Sequence, residues 1–266
     1  MCYNGFVTDL TDAIARLRAA GCVFAEDEAA VLGEAAADAA DLDDLVRRRS
    51  AGEPLEQVVG YADFCGVRVR LRPGVFVPRV RSELLVRKAI EEGGKTVVDL
   101  CCGSGALGLA VRHQAPHIRL LAADSDPAAV ACARDNLGAD VFQGDLFAAL
   151  PTDLRGHIDV LLANVPYVAT RHIPLLPAEA RLHEPHTALD GGADGLEVFR
   201  AVVAEAPQWL APGGLLLSEI TEAQAEAAVA AVRAAGLREE ISTDDDLEAM
   251  TISARRTKVS GQPRLR

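Results

Sequence analysis

Lysine is nearly missing from this chain of 266 residues: it occurs only at positions 88, 95 and 258, while arginine and alanine are plentiful. That imbalance reads as coding bias and implies no mechanism. Positive charge is scarce in general, with 27 lysines and arginines against 39 acids and a formal net charge of -12. Such a balance opposes the long-range attraction of a phosphate backbone, so nucleic acid is a disfavoured partner. The six cysteines never form a CxxC pair, although Cys101 and Cys102 are adjacent. Neither a disulfide framework nor a zinc site is expected, and reduced thiols fit a cytoplasmic location. His113 and His117 flank a proline in HQAPH, so they do not form a metal-binding helix face, and no metal is expected. No apolar run approaches the length of a membrane span, and MCYNGFVTDLTDAIARLRAAG carries acids where a signal peptide needs a continuous apolar segment. Export and membrane insertion are not expected.

Half of the residues are hydrophobic, enough for a substantial core in one main domain with an accessory piece. From residue 8 to about 50, Leu10, Ile14, Leu17, Val31, Leu32, Leu42 and Leu45 recur near the helical spacing. This predicts a helical N-terminal domain over 1–58 whose apolar face packs internally. Gly60, Gly66 and Pro73-Gly74 punctuate the next stretch, where Val67, Val69 and Leu71 alternate with arginines. A half-exposed strand paired with Tyr61 to Phe64 is expected, giving a β-hairpin connector over 59–75. Strands and helices then alternate: Thr96 to Leu100, Ala106 to His113, Leu120 to Asp124, Pro127 to Leu137, Val160 to Ala163 and Gly214 to Glu219. That rhythm predicts an α/β domain over 76–256, a mostly parallel sheet covered on both faces, followed by a flexible tail over 257–266.

In such a sheet, ligands bind beyond the carboxyl ends of the strands. Three unusual segments fall there. Asp99-Leu100-Cys101-Cys102-Gly103-Ser104-Gly105 follows one strand and opens a helix, and its glycines would let backbone approach a ligand. Asp124 ends the next strand 21 positions after Gly103, a spacing suited to a ribose's hydroxyls. It reads equally as a helix N-cap, a job that Ser125 or Asp126 could take instead. Asp145 in Gln143-Gly144-Asp145-Leu146-Phe147 could accept from an adenine amino group while Leu146 or Phe147 packs on the ring; a solvated turn aspartate is the alternative. Together these favour an adenosine-containing cofactor. Because Gly103-Ser104-Gly105-Ala106-Leu107-Gly108 formally matches GxGxxG, a nicotinamide dinucleotide remains open.

Asn164-Val165-Pro166-Tyr167 ends the strand Ile158 to Ala163. Asn164 offers a side-chain carbonyl and Val165 a backbone one, and two acceptors facing one NH2 fix both hydrogens and aim the nitrogen at an electrophile. Tyr167 can lie against the planar group, and Pro166 stiffens the turn. A carboxamide nitrogen is a poor nucleophile, so orientation of this kind suits methyl transfer.

These residues resemble the Asn-Pro-Pro-Tyr class of S-adenosyl-L-methionine-dependent methyltransferases, and more specifically the HemK/PrmC family of release-factor glutamine methyltransferases. Gly52-Glu53-Pro54-Leu55, Phe76-Val77-Pro78-Arg79 with Ser82-Glu83, and Glu184-Pro185 with Leu189-Asp190-Gly191-Gly192 and Asp194-Gly195-Leu196 carry the closer likeness, over about residues 50 to 220. The resemblance implies a Rossmann-like class I fold and a monomer that methylates the glutamine of a Gly-Gly-Gln motif in a peptide chain release factor. S-Adenosyl-L-methionine would be the donor and S-adenosyl-L-homocysteine the product. Asn164, Val165, Pro166 and Tyr167 would carry catalysis and hold the glutamine, with Glu184 and Pro185 shaping the substrate side. Cys101, Gly103 and Gly105 would lie under the cofactor's methionine portion with Asp99 near its ammonium. Asp124 and Ser125 would meet the ribose, Asp145 and Leu146 the adenine, and Arg79 and Asn164 would border the cofactor.

Val165 replaces the first proline of the family motif, which keeps the carbonyl but loosens its φ angle. Cys101 and Cys102 stand where the family often has Gly and Thr, and read as space-filling. Both departures mark a divergent branch. Other readings use the same residues: methylation of an exocyclic amine on a nucleic acid base, methylation of a small molecule, or a non-catalytic cofactor-binding or translation-factor-docking module. His183 and His186 are expected in a surface loop, Asp244-Asp245-Asp246 in solvent, and Arg79 could pair with Glu83 across one helical turn.

Overall fold

The computed structural model describes residues 10–258. Positions 8 and 9 of the expected first helix, and most of the expected tail, lie outside them. Four helices come first, α1 (Thr11–Ala19), α2 (Ala25–Ala35), α3 (Ala39–Ser50) and α4 (Leu55–Val59). They close on a small core of their own, in which Leu17, Leu32, Leu45 and Val46 are buried. The helix α3 starts where Asp38 accepts the amide protons of Ala40 and Asp41. It ends on three arginines that suit its negative pole. Gly60, in the left-handed region, stops α4 and turns the chain into β1 (Tyr61–Phe64) and β2 (Val67–Arg70). The hairpin does not hang free: the Asn136 side chain bonds both N–H and C=O of Arg70, and Arg72 pairs with Asp135.

The rest is α5 (Glu83–Glu92), β3 (Thr96–Leu100), α6 (Ala106–Gln114), β4 (Arg119–Asp124), α7 (Pro127–Leu137), β5 (Val141–Gln143) and β6 (Ile158–Ala163). After them come α8 (Ala178–His183), α9 (His186–Leu189), α10 (Glu197–Trp209), β7 (Leu210–Glu219), α11 (Ala225–Ala234), β8 (Arg238–Asp244) and β9 (Ala249–Arg255). The strand order is β5-β4-β3-β6-β7-β9-β8. Strands β3 to β7 pair in parallel, while β9 runs antiparallel to β7 and to β8. The sequence rhythm omitted this edge hairpin, because β8 alternates between exposed and half-buried residues and lacks an apolar run. It also separates the sheet from the 3-2-1-4-5-6 order of dinucleotide-binding proteins.

Period-two alternation divides the core. Val98, Leu100, Leu161 and Leu216 face α10 and α11, whereas Val97, Val160, Leu162 and Leu217 face α5, α6 and the hairpin's Phe64 and Val69. Both faces are dry, as a parallel sheet requires, and each fully buried leucine or valine contributes about 1.5–3 kcal/mol. This packing fixes the strand ends on which the site stands. No helix among the described residues is long and apolar enough to cross a membrane.

Candidate active site

One cavity of about 1370 Å³ opens over the carboxyl ends of β3, β4, β6 and β7. Cys101, Gly103, Asp124, Ser125, Asp145, Leu146, Arg79, Asn164, Val165, Pro166, Tyr167, Glu184 and Pro185 all line it. Residues up to 196 positions apart in sequence, from Pro54 to Met250, thus meet around one space.

The glycine-loop end is held by a carboxylate. Asp124 accepts from the Gly103 amide at 2.9 Å and from Asp126 at 2.9 Å, tying the loop to the start of α7. Burial raises its pKa against backbone bonds from Asp126, Gly103 and Ser125, yet a carboxylate's four lone pairs leave room for a further donor. Asp126, not Asp124, caps α7 through the Ala128 amide, with Pro127 in the first turn. At Gly103 (φ +55) an added Cβ would meet no atom within 4 Å, so its missing side chain leaves room in the cavity. Gly105 is different and does not line the cavity. Its Cβ would stand 2.7 Å from Leu137, so it serves the approach of α6 to α7. Asp99 is also off the wall, 1% exposed beneath the loop, with Oδ2 accepting from Gly108 and Oδ1 without a partner. Burial pushes its pKa up to about 7, against the pull of the Gly108 amide. Gly108 leaves no room either, as its Cβ would lie 3.1 Å from Asp99. The apparent GxGxxG is therefore a packing pattern after its first glycine.

Cys101 takes a positive φ of 57° and Cys102 is buried; burial raises both thiols far above their ordinary value, so neither is poised as a thiolate. Phe147 is corrected: it stacks on Trp209 at 5.3 Å inside the core, leaving Leu146 at the cavity wall.

At the other end, β6 delivers NVPY to the cavity mouth. Asn164 donates through Nδ2 to Ser82 Oγ at 3.0 Å, while its Oδ1 is buried with no protein partner. The Val165 carbonyl accepts no hydrogen bond from any described residue. Asn164 and Val165 both line the cavity, and each thus carries one carbonyl oxygen without a partner among the described residues. Tyr167 donates to Glu219 at 2.6 Å and accepts from Arg81 at 3.0 Å. Burial beside that carboxylate pushes the phenol well above its usual value, so it stays protonated. The segment's backbone is pinned from outside: Ser218 donates to the Ala163 carbonyl, Gln224 to that of Tyr167, and Val168 bonds Leu189 and Gly191. The glycines of the 191–195 loop earn their place here, because a Cβ on Gly191 would lie 2.6 Å from the Pro166 carbonyl and one on Gly195 2.3 Å from that of Tyr167.

Arg79 pairs with Glu184 at 2.6 Å, not with Glu83, and Glu184 also accepts from the Val77 amide. The Glu184 carboxyl, raised by burial and relieved by Arg79, is a strut between the chain entering α5 and the substrate side. His183 and His186 lie at the end of α8 and the start of α9 instead of in a loop. Asp244 pairs with Arg87 and, with Asp245, reaches the cavity rim. Glu219, Arg81 and Gln224 escaped the sequence reading. An acid closing the apolar strand Leu215 to Ser218 was the available signal, by the same strand-end rule that singled out Asp124.

The fold and the site define an α/β methyltransferase. The methyltransferase small domain family matches residues 66–193. A methyltransferase structure from Pyrococcus furiosus superposes with a TM-score of 0.56 at 15% identity, covering 72% of this chain and 90% of that one. Release factor glutamine methyltransferase of Cereibacter sphaeroides is 37% identical over 82% of this chain and 80% of its own length. The enzyme of that name from Geobacter sulfurreducens is 39% identical over 68% and 66% respectively. A 4-amino-L-phenylalanine/4-methylamino-L-phenylalanine methyltransferase of Streptomyces pristinaespiralis is 39% identical over 72% and 69%. The chain belongs to the release factor glutamine methyltransferase family.

Proposed function

We propose that this protein transfers a methyl group from S-adenosyl-L-methionine to the side-chain amide nitrogen of a glutamine in a peptide chain release factor. The observation that supports it most is the pair of unbonded acceptors, Asn164 Oδ1 and the Val165 carbonyl, on two residues that line the same cavity as the glycine loop. The loop end fits the cofactor: Gly103 leaves space, Asp124 keeps free lone pairs, Asp145 and Leu146 sit beyond it, and Asp99 Oδ1 lacks a partner beneath. When bound, the cofactor supplies a methyl group on a positively charged sulfur. The chain's own part is orientation. Asn164 and Val165 hold both amide hydrogens, Tyr167 flanks the plane, and the nitrogen's remaining direction faces the loop. No side chain has to remove a proton first, and Tyr167, kept as a phenol, is not a base.

An acceptor on a protein suits the cavity better than the alternatives. Small-ligand sites span about 300–1000 Å³, whereas this one of about 1370 Å³ runs on to Pro54 and Glu56 of the helical lobe. Twelve carboxyl side chains and two arginines line it, which opposes a nucleic acid acceptor. The likeness to an aromatic-amine methyltransferase keeps one rival, since an aryl NH2 presents the same two hydrogens to Asn164. The helical lobe, the docked hairpin and the α/β domain act as one enzyme in this reading, with the lobe engaging the protein substrate. Arg49 of the lobe, held by Glu28, reaches Glu179 of α8 at the cavity rim. The test is incubation with methyl-labelled donor and purified release factor, then mass spectrometry of the Gly-Gly-Gln peptide. Label on that glutamine is expected. Label confined to free 4-amino-L-phenylalanine, or to no acceptor, overturns the proposal.

A further inference from the structure

We infer that Glu219 is a positioning residue: acting through Ser82, it decides which end of the Asn164 side-chain amide faces the acceptor. The inference rests on the methyl-transfer reading, but its geometry is independent of the acceptor's identity. Glu219 closes β7 and is 3% exposed. Two hydroxyl donors and one cation converge on it: Ser82 Oγ at 2.7 Å, Tyr167 OH at 2.6 Å and, as an ion pair, the Arg81 guanidinium at 2.8 Å. A serine hydroxyl has a single hydrogen, and here Glu219 takes it. Ser82 Oγ can then meet Asn164 only as an acceptor, so the atom 3.0 Å away must be Nδ2, and Oδ1 is left buried and unbonded.

This matters because the two orientations of an asparagine amide fill the same space and differ only in hydrogen bonding. No other hydrogen bond holds the Asn164 side chain among the described residues. Reversed, the side chain would present two N–H donors to an NH2 group, and the acceptor would be repelled. The same buried anion orders the Tyr167 hydroxyl, so both walls of the acceptor slot are set by one carboxylate.

Glu219→Gln tests the idea with little change of shape, since its Nε2 can donate to Ser82 and let that hydroxyl donate to Asn164 instead. The expected result is a fall in kcat of about 100-fold, the size seen when one oriented donor or acceptor is lost, with KM and cofactor affinity nearly unchanged. Ser82→Ala frees the amide and leaves the Arg81–Glu219 pair intact, so it guards against a simple loss of folding. The two changes should be non-additive by about tenfold, as groups in one network are. An orientation readout needs no turnover. The chain has only three asparagines, at 4, 136 and 164, so protein labelled with 15N-asparagine gives three side-chain amide pairs, and Asn164→Asp identifies one. Glu219→Gln and Ser82→Ala should each shift that pair. An unmoved pair in Glu219→Gln, or additive losses of kcat, overturns the inference. If the wild-type protein methylates no release factor, the functional reading falls while the amide spectrum still decides the orientation.

Discussion

The glycine-loop end of the cavity is tied by bonds that span at most 21 positions, Asp124 with Gly103 and Asp126, whereas the NVPY end depends on partners from across the chain. Asn164 leans on Ser82, Tyr167 and Ser82 on Glu219, and Glu184 on Arg79. The first end is carboxylate against backbone amide, which the single unit β3-α6-β4 and the turn after it can supply. The second is side chain against side chain, and exists only after the sheet and α5 have packed. On the proposed reading, the cofactor end is thus built within one strand-helix-strand unit, while the end that would orient an NH2 is an assembled object.

Substitutions at the two ends should separate them. Asn164→Ala is expected to lower turnover by about 100- to 1000-fold while cofactor binding by calorimetry stays within about twofold; a matching loss of cofactor affinity would mean that the two ends are not distinct. Gly195→Ala forces a Cβ at φ +81 to within 2.3 Å of the Tyr167 carbonyl. It should cost about 1–3 kcal/mol of stability, read as a lowered Tm, and should reduce turnover more than cofactor affinity. Asp124→Ala reverses the pattern, weakening cofactor binding about 10- to 100-fold through lost charge-assisted bonds.

A smaller effect concerns pH. Asp99, shifted from 3.8 to about 7 by burial, binds its proton more tightly folded than unfolded. Stability should therefore decline as pH rises through that window and level off above it. A cation at the loop favours the carboxylate, so cofactor affinity should rise about fivefold between roughly pH 6 and 7.5. Both slopes should flatten in Asp99→Asn, and unchanged slopes would remove Asp99 from the cofactor end. Val165→Pro should do least. The Val165 amide makes no hydrogen bond among the described residues, so a gain of about 0.4–1 kcal/mol and less than a threefold change in turnover are expected. A large loss would show that Val165, 2% exposed in the core, is needed for packing.

Gly103, Asp124 and the NVPY acceptors were legible because strand ends, turn glycines and backbone carbonyls follow from local pattern. Gly105 and Phe147 were read toward the ligand, but the pattern is silent on which neighbour fills the space: Leu137 stands against one and Trp209 against the other. Arg79 had a plausible partner one helical turn away in Glu83 and found Glu184 instead, 105 positions on. The β8-β9 edge went unread because β8 has mostly exposed or half-buried residues and no apolar run to mark it.

By itself the sequence determined the alternation of strands and helices, the carboxyl-end placement of its odd residues, and a site with two carbonyl acceptors beside a glycine turn. The tertiary structure decided how those acceptors are aimed. Hydrogen-bond direction depends on which group spends its only proton on which partner, and for Asn164 that choice is made at Glu219, a residue that comes within reach only when β7 is laid beside β6.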